Sequence, residues 1–231
     1  MAKSILHSEL RQQVAATALS LLTSRLIVNT SGNVSIRAGN EIIITPSGKD
    51  YDSLSAQDIC VITMTGDWVD GELLPSSETP LHIAVYQSDP KIEAIVHTHS
   101  VHATAASTLV DMLPAIHYQM ADLGGEIPVA PYATFGSAEL AESVVRVLPG
   151  HNAALMKNHG SITVAKTLKK ALARAITLEW CCEVWLKAEM AGKPSILSPE
   201  QLEQAQQQMA NIAEQRKKPR AERGQPCCQK R

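Results

Sequence analysis

The chain has 231 residues, of which 45% are hydrophobic and 19% charged, and its formal net charge is −2. This length and composition are those of a globular protein with one sizeable core, and they exclude a disordered or fibrous protein. The nearly balanced charge gives no reason to expect nucleic acid or an anionic membrane as a partner. No stretch approaches the ~18 apolar residues of a membrane span, and residues 1–10 lack the apolar core of a signal peptide, so we expect a cytoplasmic protein.

The cysteines and the basic residues are unevenly placed along the chain. Five cysteines, one at position 60 and two adjacent pairs at 181–182 and 227–228, do not make a disulfide framework, so we expect reduced thiols. Residues 214–231 hold seven Lys or Arg against two Glu and few apolar residues. We therefore predict a domain at residues 1–213 followed by a basic, disordered tail at residues 214–231.

The first third of the chain predicts a helix, a hairpin, a strand and a second helix, in that order. Apolar residues at helical spacing predict the first helix over residues 8–26. The runs NVSIR and EIIIT, joined by AGN, predict a β-hairpin, and DICVITM predicts a third strand. In PSSETPLHIAVYQ, which begins at position 75, Ser76 or Ser77 is the predicted N-cap of a helix and Pro80 lies in its first turn.

The rest of the chain continues to mix strands and helices. EAIVHTH and IPVAPY predict strands, SAELAESVVRVL predicts a helix, and AALMKNHGSITVA predicts two strands that break at His159 and Gly160. A long helix is predicted over residues 167–191, and a last helix begins at Ser198 with Gln201 at the capping-box position. This pattern, without an internal repeat, predicts a single α/β domain whose sheet is at least partly antiparallel.

Two histidines lie one residue apart in the predicted strand EAIVHTH. Because side chains alternate along a strand, His97 and His99 project to one face with Cα atoms about 6.5–7 Å apart, a spacing at which two imidazoles can bind one metal ion. The pair alone is also compatible with ordinary histidines at a strand end. His159, before Gly160 at a predicted bend, is a candidate third ligand. Three histidines with an open position are typical of a catalytic zinc site.

Three short polar segments offer hydrogen-bond donors for an anion such as a phosphate. These segments are Thr30 to Asn33, Ser47 with Gly48, and Ser76 with Ser77. The serine pair precedes a predicted helix, whose free N–H groups favour an anion. Ordinary turn chemistry also explains each segment taken singly. Glu78, which follows the serine pair, is by itself explained as a first-turn carboxylate that stabilises the helix.

Seven motifs, in order along the chain, resemble the class II aldolase family, which contains the fuculose-phosphate aldolases. They are NTSGNVSIR, ITPSG, LPSSE, VHTHS, AIHY, APYATFG and NHG, and the resemblance covers roughly residues 8–190. Each motif alone is weak, whereas seven in the same order are specific. The resemblance implies a single α/β domain with a largely antiparallel central sheet flanked by helices. It also implies one Zn²⁺, or another divalent transition ion, per subunit, with His97, His99 and His159 as ligands.

The resemblance further implies roles for the other candidate residues. Glu78 would be the proton-transfer base, and Tyr118 in AIHY would act on a substrate hydroxyl from an adjacent subunit. The residues that would bind the substrate phosphate are Thr30, Asn33, Ser47, Gly48, Ser76 and Ser77. We therefore expect a homotetramer with active sites between subunits. Its partner would be a small phosphorylated sugar, with neither nucleic acid nor a membrane involved.

The activity that the resemblance implies is cleavage of a ketose 1-phosphate to dihydroxyacetone phosphate and an aldehyde. The metal would act as a Lewis acid on the negative charge left on the phosphate-bearing fragment. Fuculose-phosphate aldolase has a tyrosine in its C-terminal segment that closes over the aldehyde end, but here no tyrosine follows Tyr132. The expected substrates are therefore 5-deoxyribulose 1-phosphate or 5-methylthioribulose 1-phosphate, with L-fuculose 1-phosphate as a third candidate.

Four alternative readings remain. Methylthioribulose-1-phosphate dehydratase shares the zinc site and a glutamate. L-Ribulose-5-phosphate 4-epimerase has a similar fold and zinc site but an aspartate where this chain has Glu78. A non-catalytic module like the adducin head domain predicts loss of the metal histidines, which are all present. A Schiff base on Lys157, near the NHG motif, would leave the histidines without a purpose.

Overall fold

A nine-stranded sheet runs through residues 5–217, the part of the chain that the computed structural model describes. The strands are β1 Asn33–Ala38, β2 Glu41–Ile44, β3 Cys60–Thr63, β4 Trp68–Asp70, β5 Ala94–Thr98, β6 Met112–Leu113, β7 Ile127–Ala130, β8 Ala153–Met156 and β9 Gly160–Ala165. Their spatial order is β4-β3-β2-β1-β5-β9-β8-β7-β6. Neighbouring strands are antiparallel except for the parallel pair β7 and β8, so the predicted largely antiparallel sheet is confirmed.

Six α-helices and one 3-10 helix accompany the sheet. The α-helices are α1 Ser8–Thr23, α2 Thr79–Ser88, α3 Val101–Leu109, α4 Ala138–Val147, α5 Leu168–Ala191 and α6 Pro199–Lys217, and the 3-10 helix is Tyr118–Leu123. Among the helices of residues 5–217, none combines the length and the apolar composition that a membrane span requires. The predicted capping box of α6 is present, because Ser198 and Gln201 exchange hydrogen bonds between side chain and backbone.

Helices cover both faces of the sheet because its strands are apolar on both sides. Ile42 and Ile44 of β2 belong to a core that includes residues of α2 and α4. Ile43, which lies between them and points to the other face, belongs to a core with residues of α1 and α5. A third apolar cluster joins α3, α5 and the 3-10 helix to β7 and β8. The central strands are therefore buried on both faces, which holds their ends rigidly.

Three strand ends meet at the middle of the sheet and determine where the functional side chains lie. Strand β1 pairs with β5, with Asn33 opposite His97. Strand β5 also pairs with β9, with Thr98 opposite Ser161. A Cβ atom at Gly160 would overlap the carbonyl oxygen of Thr98, so a glycine is needed for this close approach.

Two local predictions differ from the structure. The N-cap of α2 is Glu78, so the prediction of Ser76 or Ser77 was wrong. The residues before α2 instead form a turn, in which the Thr79 N–H donates to the Ser76 carbonyl and delays the start of the helix. The first helix ends at Thr23, earlier than predicted, because Arg25 has a positive φ of 56° and breaks it.

The predicted boundary between the domain and the tail lies within helix α6. Helix α6 continues to Lys217, so residues 214–217 of the predicted tail are helical. The remaining tail residues, including Cys227 and Cys228, lie outside the described residues. The domain boundary at residue 213 and the disorder of the tail stay predictions.

Candidate metal centre

Three imidazoles and one carboxylate meet where β5 ends and β9 begins. The Nε2 atom of His99 lies 2.9 Å from Nε2 of His97 and 3.1 Å from Nε2 of His159. Glu78 brings its Oε2 atom to 2.8 Å from Nε2 of His97 and its Oε1 atom to 3.3 Å from Nε2 of His159. All four candidate ligand atoms lie within 4.8 Å of one another. The structure thus brings together the four residues that the sequence indicated.

The backbone of the sheet orients the most deeply buried of these histidines. The Nδ1 atom of His97 donates a hydrogen bond of 2.8 Å to the carbonyl oxygen of Ser161 on the neighbouring strand β9. This contact assigns one hydrogen to Nδ1, so Nε2, which faces His99 and Glu78, is the atom that binds a metal once it has lost its own proton. A histidine held in this way is prepared to bind a metal through Nε2.

Burial keeps the other two imidazoles neutral. Burial, together with the positive charge of His97, lowers the pKa of His99 to about 3 and the pKa of His159 to about 4. Burial alone would disfavour the charged forms of His97 and Glu78, but their mutual attraction outweighs it. The pKa of His97 is therefore raised and the pKa of Glu78 is lowered. His99, His159 and Glu78 are therefore already in the protonation states that metal binding requires, whereas His97 must give up a proton when a metal binds.

The donor set fits a divalent transition ion. In a tetrahedral site with Zn–N bonds of about 2.0–2.1 Å the nitrogens lie about 3.3 Å apart, close to the observed separations of 2.9 and 3.1 Å. The Oε1 atom of Glu78 is buried and has no hydrogen-bond partner among the described residues. An orphaned buried oxygen costs free energy unless a cation or a substrate group compensates it. Imidazole and carboxylate ligands suit zinc and its neighbours in the transition series.

A series of buried polar side chains, joined by hydrogen bonds, contacts the carboxylate of Glu78. The Nδ2 atom of Asn33 donates to Oε2 of Glu78 over 2.9 Å, and Oδ1 of Asn33 lies 2.5 Å from Nε2 of His82. On the other side of the His82 ring, Nδ1 lies 2.6 Å from Oγ of Ser35. Neither His82 nor this connection was identified from the sequence. A usable signal was present, because Asn33 and Ser35 alternate onto the same face of β1.

Comparison with known proteins identifies the family. The family model described as the Class II Aldolase and Adducin N-terminal domain matches residues 12–186. The chain belongs to this family. The expectation that it is an enzyme of the class II aldolase type, a lyase, is thereby confirmed.

Both sequences and solved structures of class II aldolases are similar to this chain. It is 41% identical over 198 residues to the L-fuculose phosphate aldolase of Escherichia coli, which covers 85% of this chain and 92% of that protein. It is 36% identical over 195 residues to the 5-methylthioribulose-1-phosphate/5-deoxyribulose-1-phosphate aldolase of Rhodospirillum rubrum, over 84% of this chain and 88% of that protein. A solved L-fuculose 1-phosphate aldolase superposes with a TM-score of 0.86 and 34% identity, over 89% of this chain and 98% of that one.

The segment from Thr30 to Asn33, a predicted phosphate-binding segment of this class II aldolase, packs against the end of β5. A Cβ atom at Gly32 would lie 2.8 Å from the carbonyl oxygen of His97, and Gly32 has a φ of +83°, so only glycine fits without strain. Thr30 is partly exposed, whereas Asn33 is buried and its side-chain amide contacts Glu78 and His82. Phosphate binding by Thr30 and Asn33 stays a prediction.

The other two predicted phosphate segments are joined to each other. The Ser47 N–H donates to the Leu74 carbonyl over 2.8 Å, and the Ser76 N–H donates to the Thr45 carbonyl over 3.1 Å. These two backbone N–H groups are therefore used within the fold, and the side-chain hydroxyls are what remains for an anion. Residues 47, 48 and 77 are exposed, whereas Ser76 is buried. The phosphate-binding roles of Ser47, Gly48, Ser76 and Ser77 stay predictions.

Two further candidates lie away from the four-residue cluster. Tyr118 begins the 3-10 helix, is 52% exposed, and places its ring 4.4 Å from the ring of His117. Within residues 5–217, no hydrogen bond joins Tyr118 to the cluster, and its action from an adjacent subunit stays a prediction. The Lys157 ammonium contacts Asp111 over 2.8 Å and the Val110 carbonyl over 3.3 Å. These contacts occupy Lys157 outside the cluster and argue against the Schiff-base alternative.

Proposed function

We propose that this class II aldolase is zinc-dependent and cleaves a ketose 1-phosphate to dihydroxyacetone phosphate and an aldehyde. The observation that carries this proposal is that three histidine side chains lie around the buried carboxylate of Glu78. The Oε1 atom of Glu78 has no hydrogen-bond partner among the described residues. Zinc bound by His97, His99 and His159 would supply Lewis-acid stabilisation of the charge that develops on the substrate oxygens.

Two side chains would move the protons that the cleavage requires. The C4 hydroxyl must lose a proton when the C3–C4 bond breaks, and we propose that the partner subunit's Tyr118 carries out this proton transfer. The C3 carbon of the remaining fragment must then gain a proton, and we assign its transfer to Glu78. The position of Glu78, buried beside the three histidines and held through Oε2, supports this role because Oε1 is left free to exchange a proton.

The substrate phosphate would be bound by the loops that meet beside Glu78. The proposed residues are Thr30, Asn33, Ser47, Gly48, Ser76 and Ser77. The hydrogen bond between Ser47 and Leu74, and the one between Ser76 and Thr45, support this assignment because they hold two of the three segments side by side. Short hydroxyl and amide donors on adjacent loops suit an oxyanion with several acceptor atoms.

The relatives support three substrates, namely 5-deoxyribulose 1-phosphate, 5-methylthioribulose 1-phosphate and L-fuculose 1-phosphate. These sugars differ at the aldehyde end. The lack of any tyrosine after Tyr132 favours a smaller or less polar aldehyde. On this basis we place the two 5-substituted ribulose phosphates first, which would assign the enzyme to salvage of 5-deoxyribose or methylthioadenosine.

A direct comparison of the three ketose 1-phosphates tests the proposal. Zinc-loaded protein is mixed with each sugar, and release of dihydroxyacetone phosphate is followed through a coupled NADH-linked reductase. We expect release from at least one sugar and its loss, by about 10²- to 10⁴-fold, in the Glu78→Gln variant. Glu139→Gln is the matched control, because Glu139 is exposed in the first turn of α4.

Two outcomes would contradict the proposal. Loss of water from the sugar phosphate, without release of dihydroxyacetone phosphate, would identify the dehydratase alternative. Interconversion of pentulose phosphates epimeric at C4 would identify the epimerase. L-Fuculose 1-phosphate as by far the best substrate would leave the aldolase in place but overturn the preference for a small aldehyde.

A further inference from the structure

A directional chain of hydrogen bonds runs from the protein core to the carboxylate of Glu78. An ionised carboxylate only accepts hydrogen bonds, so the Asn33 amide must present its nitrogen to Glu78 and its oxygen to His82. The Nε2 atom of His82 must then carry a hydrogen. Burial lowers the pKa of His82 to about 3, so its ring is neutral and its Nδ1 atom accepts.

The same reasoning fixes the donors further back in the chain. Ser35 must donate its single hydroxyl hydrogen to Nδ1 of His82, over 2.6 Å. Its oxygen therefore accepts from the Tyr86 hydroxyl, over 2.8 Å. Ser35, His82 and Tyr86 are at most 1% exposed, and Asn33 is 3% exposed. Water therefore has little access to replace any of these hydrogen bonds.

We propose that His82 is a positioning residue that orients the carboxylate of Glu78 through Asn33. Glu78 precedes α2, and its side chain makes no capping hydrogen bond to that helix. Apart from the imidazoles of His97 and His159, which face the metal site, the Asn33 amide is the contact that orients its carboxylate among the described residues. The Asn33 amide has two orientations, and only one presents a donor to Glu78. The hydrogen on Nε2 of His82 selects that orientation, because the reversed amide would place N–H against N–H. Oε2 is thereby held and Oε1 is left for proton transfer.

This inference rests on the proposed function only in assigning proton transfer to Glu78. Four variants test it. His82→Phe removes the donor to Asn33 at similar volume, and Ser35→Ala removes the group that sets the tautomer of His82. His82→Gln restores a donor through its amide. Val85→Ala, on the same face of α2 and fully buried, is the control for a general loss of packing.

We expect His82→Phe to lower kcat for release of dihydroxyacetone phosphate by about 10- to 100-fold, with zinc content unchanged. Ser35→Ala should lower kcat in the same direction, and His82→Gln should recover most of it. Val85→Ala should lower the unfolding temperature and keep kcat. A wild-type kcat in His82→Phe, or an equal loss in Val85→Ala at the same fall in unfolding temperature, would overturn the inference.

A neutron diffraction structure of the His82→Phe variant, which distinguishes the amide nitrogen of Asn33 from its oxygen, separates this inference from the proposed function. If the wild-type protein releases no dihydroxyacetone phosphate from any of the three sugars, the proposed function is wrong. The positioning role of His82 is then tested by the structure of the variant alone. A reversed Asn33 amide or a displaced Glu78 carboxylate supports the positioning role. A Glu78 carboxylate that keeps its contact with Nδ2 of Asn33 overturns it.

Discussion

Glu179 of α5 accepts hydrogen bonds from both the backbone N–H and the ring Nδ1 of His102, over 3.0 and 2.8 Å. Its second carboxylate oxygen accepts from the backbone N–H of Ala103 over 2.8 Å. An anionic group at this position satisfies N–H groups that have no partner within α3 and interacts favourably with the helix dipole. Since α3 begins two residues after His99, Glu179 also holds the segment that carries a proposed metal ligand.

The first prediction concerns this contact. Glu179→Ala should lower the free energy of unfolding by about 2–3 kcal/mol, because it removes charge-assisted hydrogen bonds from a partly buried helix start. Urea unfolding measures the change. Glu183→Ala is the control, since Glu183 lies one turn further along α5 and forms an ion pair with the exposed Lys187. Equal loss in both variants would show that the general charge of α5 matters more than the contact with α3.

The second prediction concerns metal binding. Purified protein should bind one zinc ion per subunit, and His99→Ala should abolish this binding, because Nε2 of His99 lies between the other two imidazoles. Because the metal binds the folded state, chelation should lower the unfolding temperature of the wild-type protein and leave that of His99→Ala unchanged. Metal analysis and a thermal scan measure both effects. His151→Asn is the control outside the cluster, and loss of zinc in it would contradict the assignment.

The third prediction concerns the stability of the metal-free protein between pH 7 and pH 5. The folded-state pKa values of His82, His99 and His159 are about 3, 3 and 4, below the ordinary value of 6.5. Below pH 6.5 the unfolded chain therefore binds protons that the folded chain does not, and stability falls as the pH falls. The raised pKa of His97 has the opposite effect on stability, but only above pH 6.5, where stability falls as the pH rises.

The urea midpoint of the metal-free protein at each pH measures this effect. We expect a lower midpoint at pH 5 than at pH 7. His159→Asn removes one of the three groups, so its midpoint should change less over the same range. A midpoint that is constant for the wild-type protein would show that these histidines titrate normally.

The fourth prediction concerns the glycine at the start of β9. Gly160→Ala should displace His159 and lower the free energy of unfolding by about 1–3 kcal/mol or more, because its methyl group would overlap the Thr98 carbonyl oxygen. Gly39→Ala is the control, since Gly39 has a φ of +62° and open space around it. That variant should lose some stability through backbone strain but bind zinc normally. Normal zinc binding by Gly160→Ala would contradict the prediction.

The fifth prediction tests the interfacial site. Tyr118→Phe and Glu78→Gln should each be nearly inactive as pure proteins. If subunits are mixed in equal amounts by reversible unfolding, about a quarter of the sites should combine an intact Glu78 with an intact Tyr118 from the neighbouring chain. The mixture should therefore regain activity of that order. An inactive mixture of the two inactive variants would indicate that both residues must come from one chain, whereas an active Tyr118→Phe protein would show that Tyr118 does not act.

Much of the sheet was predictable because its strands have strong local signals. The hairpin NVSIR-AGN-EIIIT combines an alternating segment, a turn and an apolar segment, and EAIVHTH contains a buried apolar run; these segments form strands in the structure. The strand β6 has only two residues, and the β-branched Val and Thr of α3 weaken the helix signal of its alanines, so both elements depend on tertiary packing. Periodicity alone therefore could not locate them.

How much of the candidate site could be predicted from the sequence differs from residue to residue. His97 and His99 share a strand, so their proximity follows from local geometry. The approach of His159 and Glu78 depends on the pairing of β5 with β9 and on the start of α2, which the residues alone do not specify. Only the family resemblance named them together. The chain through Asn33, His82 and Ser35 joins two elements distant in sequence. Strand alternation places Asn33 and Ser35 on one face of β1, but no motif connects them with His82.

The close approach of β5 and β9 has a consequence for the order of folding. The contact between His99 and His159 spans 60 residues of sequence, and that between Asn33 and Glu78 spans 45. Long-range pairings of this kind form late, since the loops between them must close first. A nascent chain in which β9 has not yet been synthesised therefore lacks His159. Metal binding would therefore require that the central strands have already paired in their native register. During refolding, competition with a chelating dye could measure when this pairing is complete.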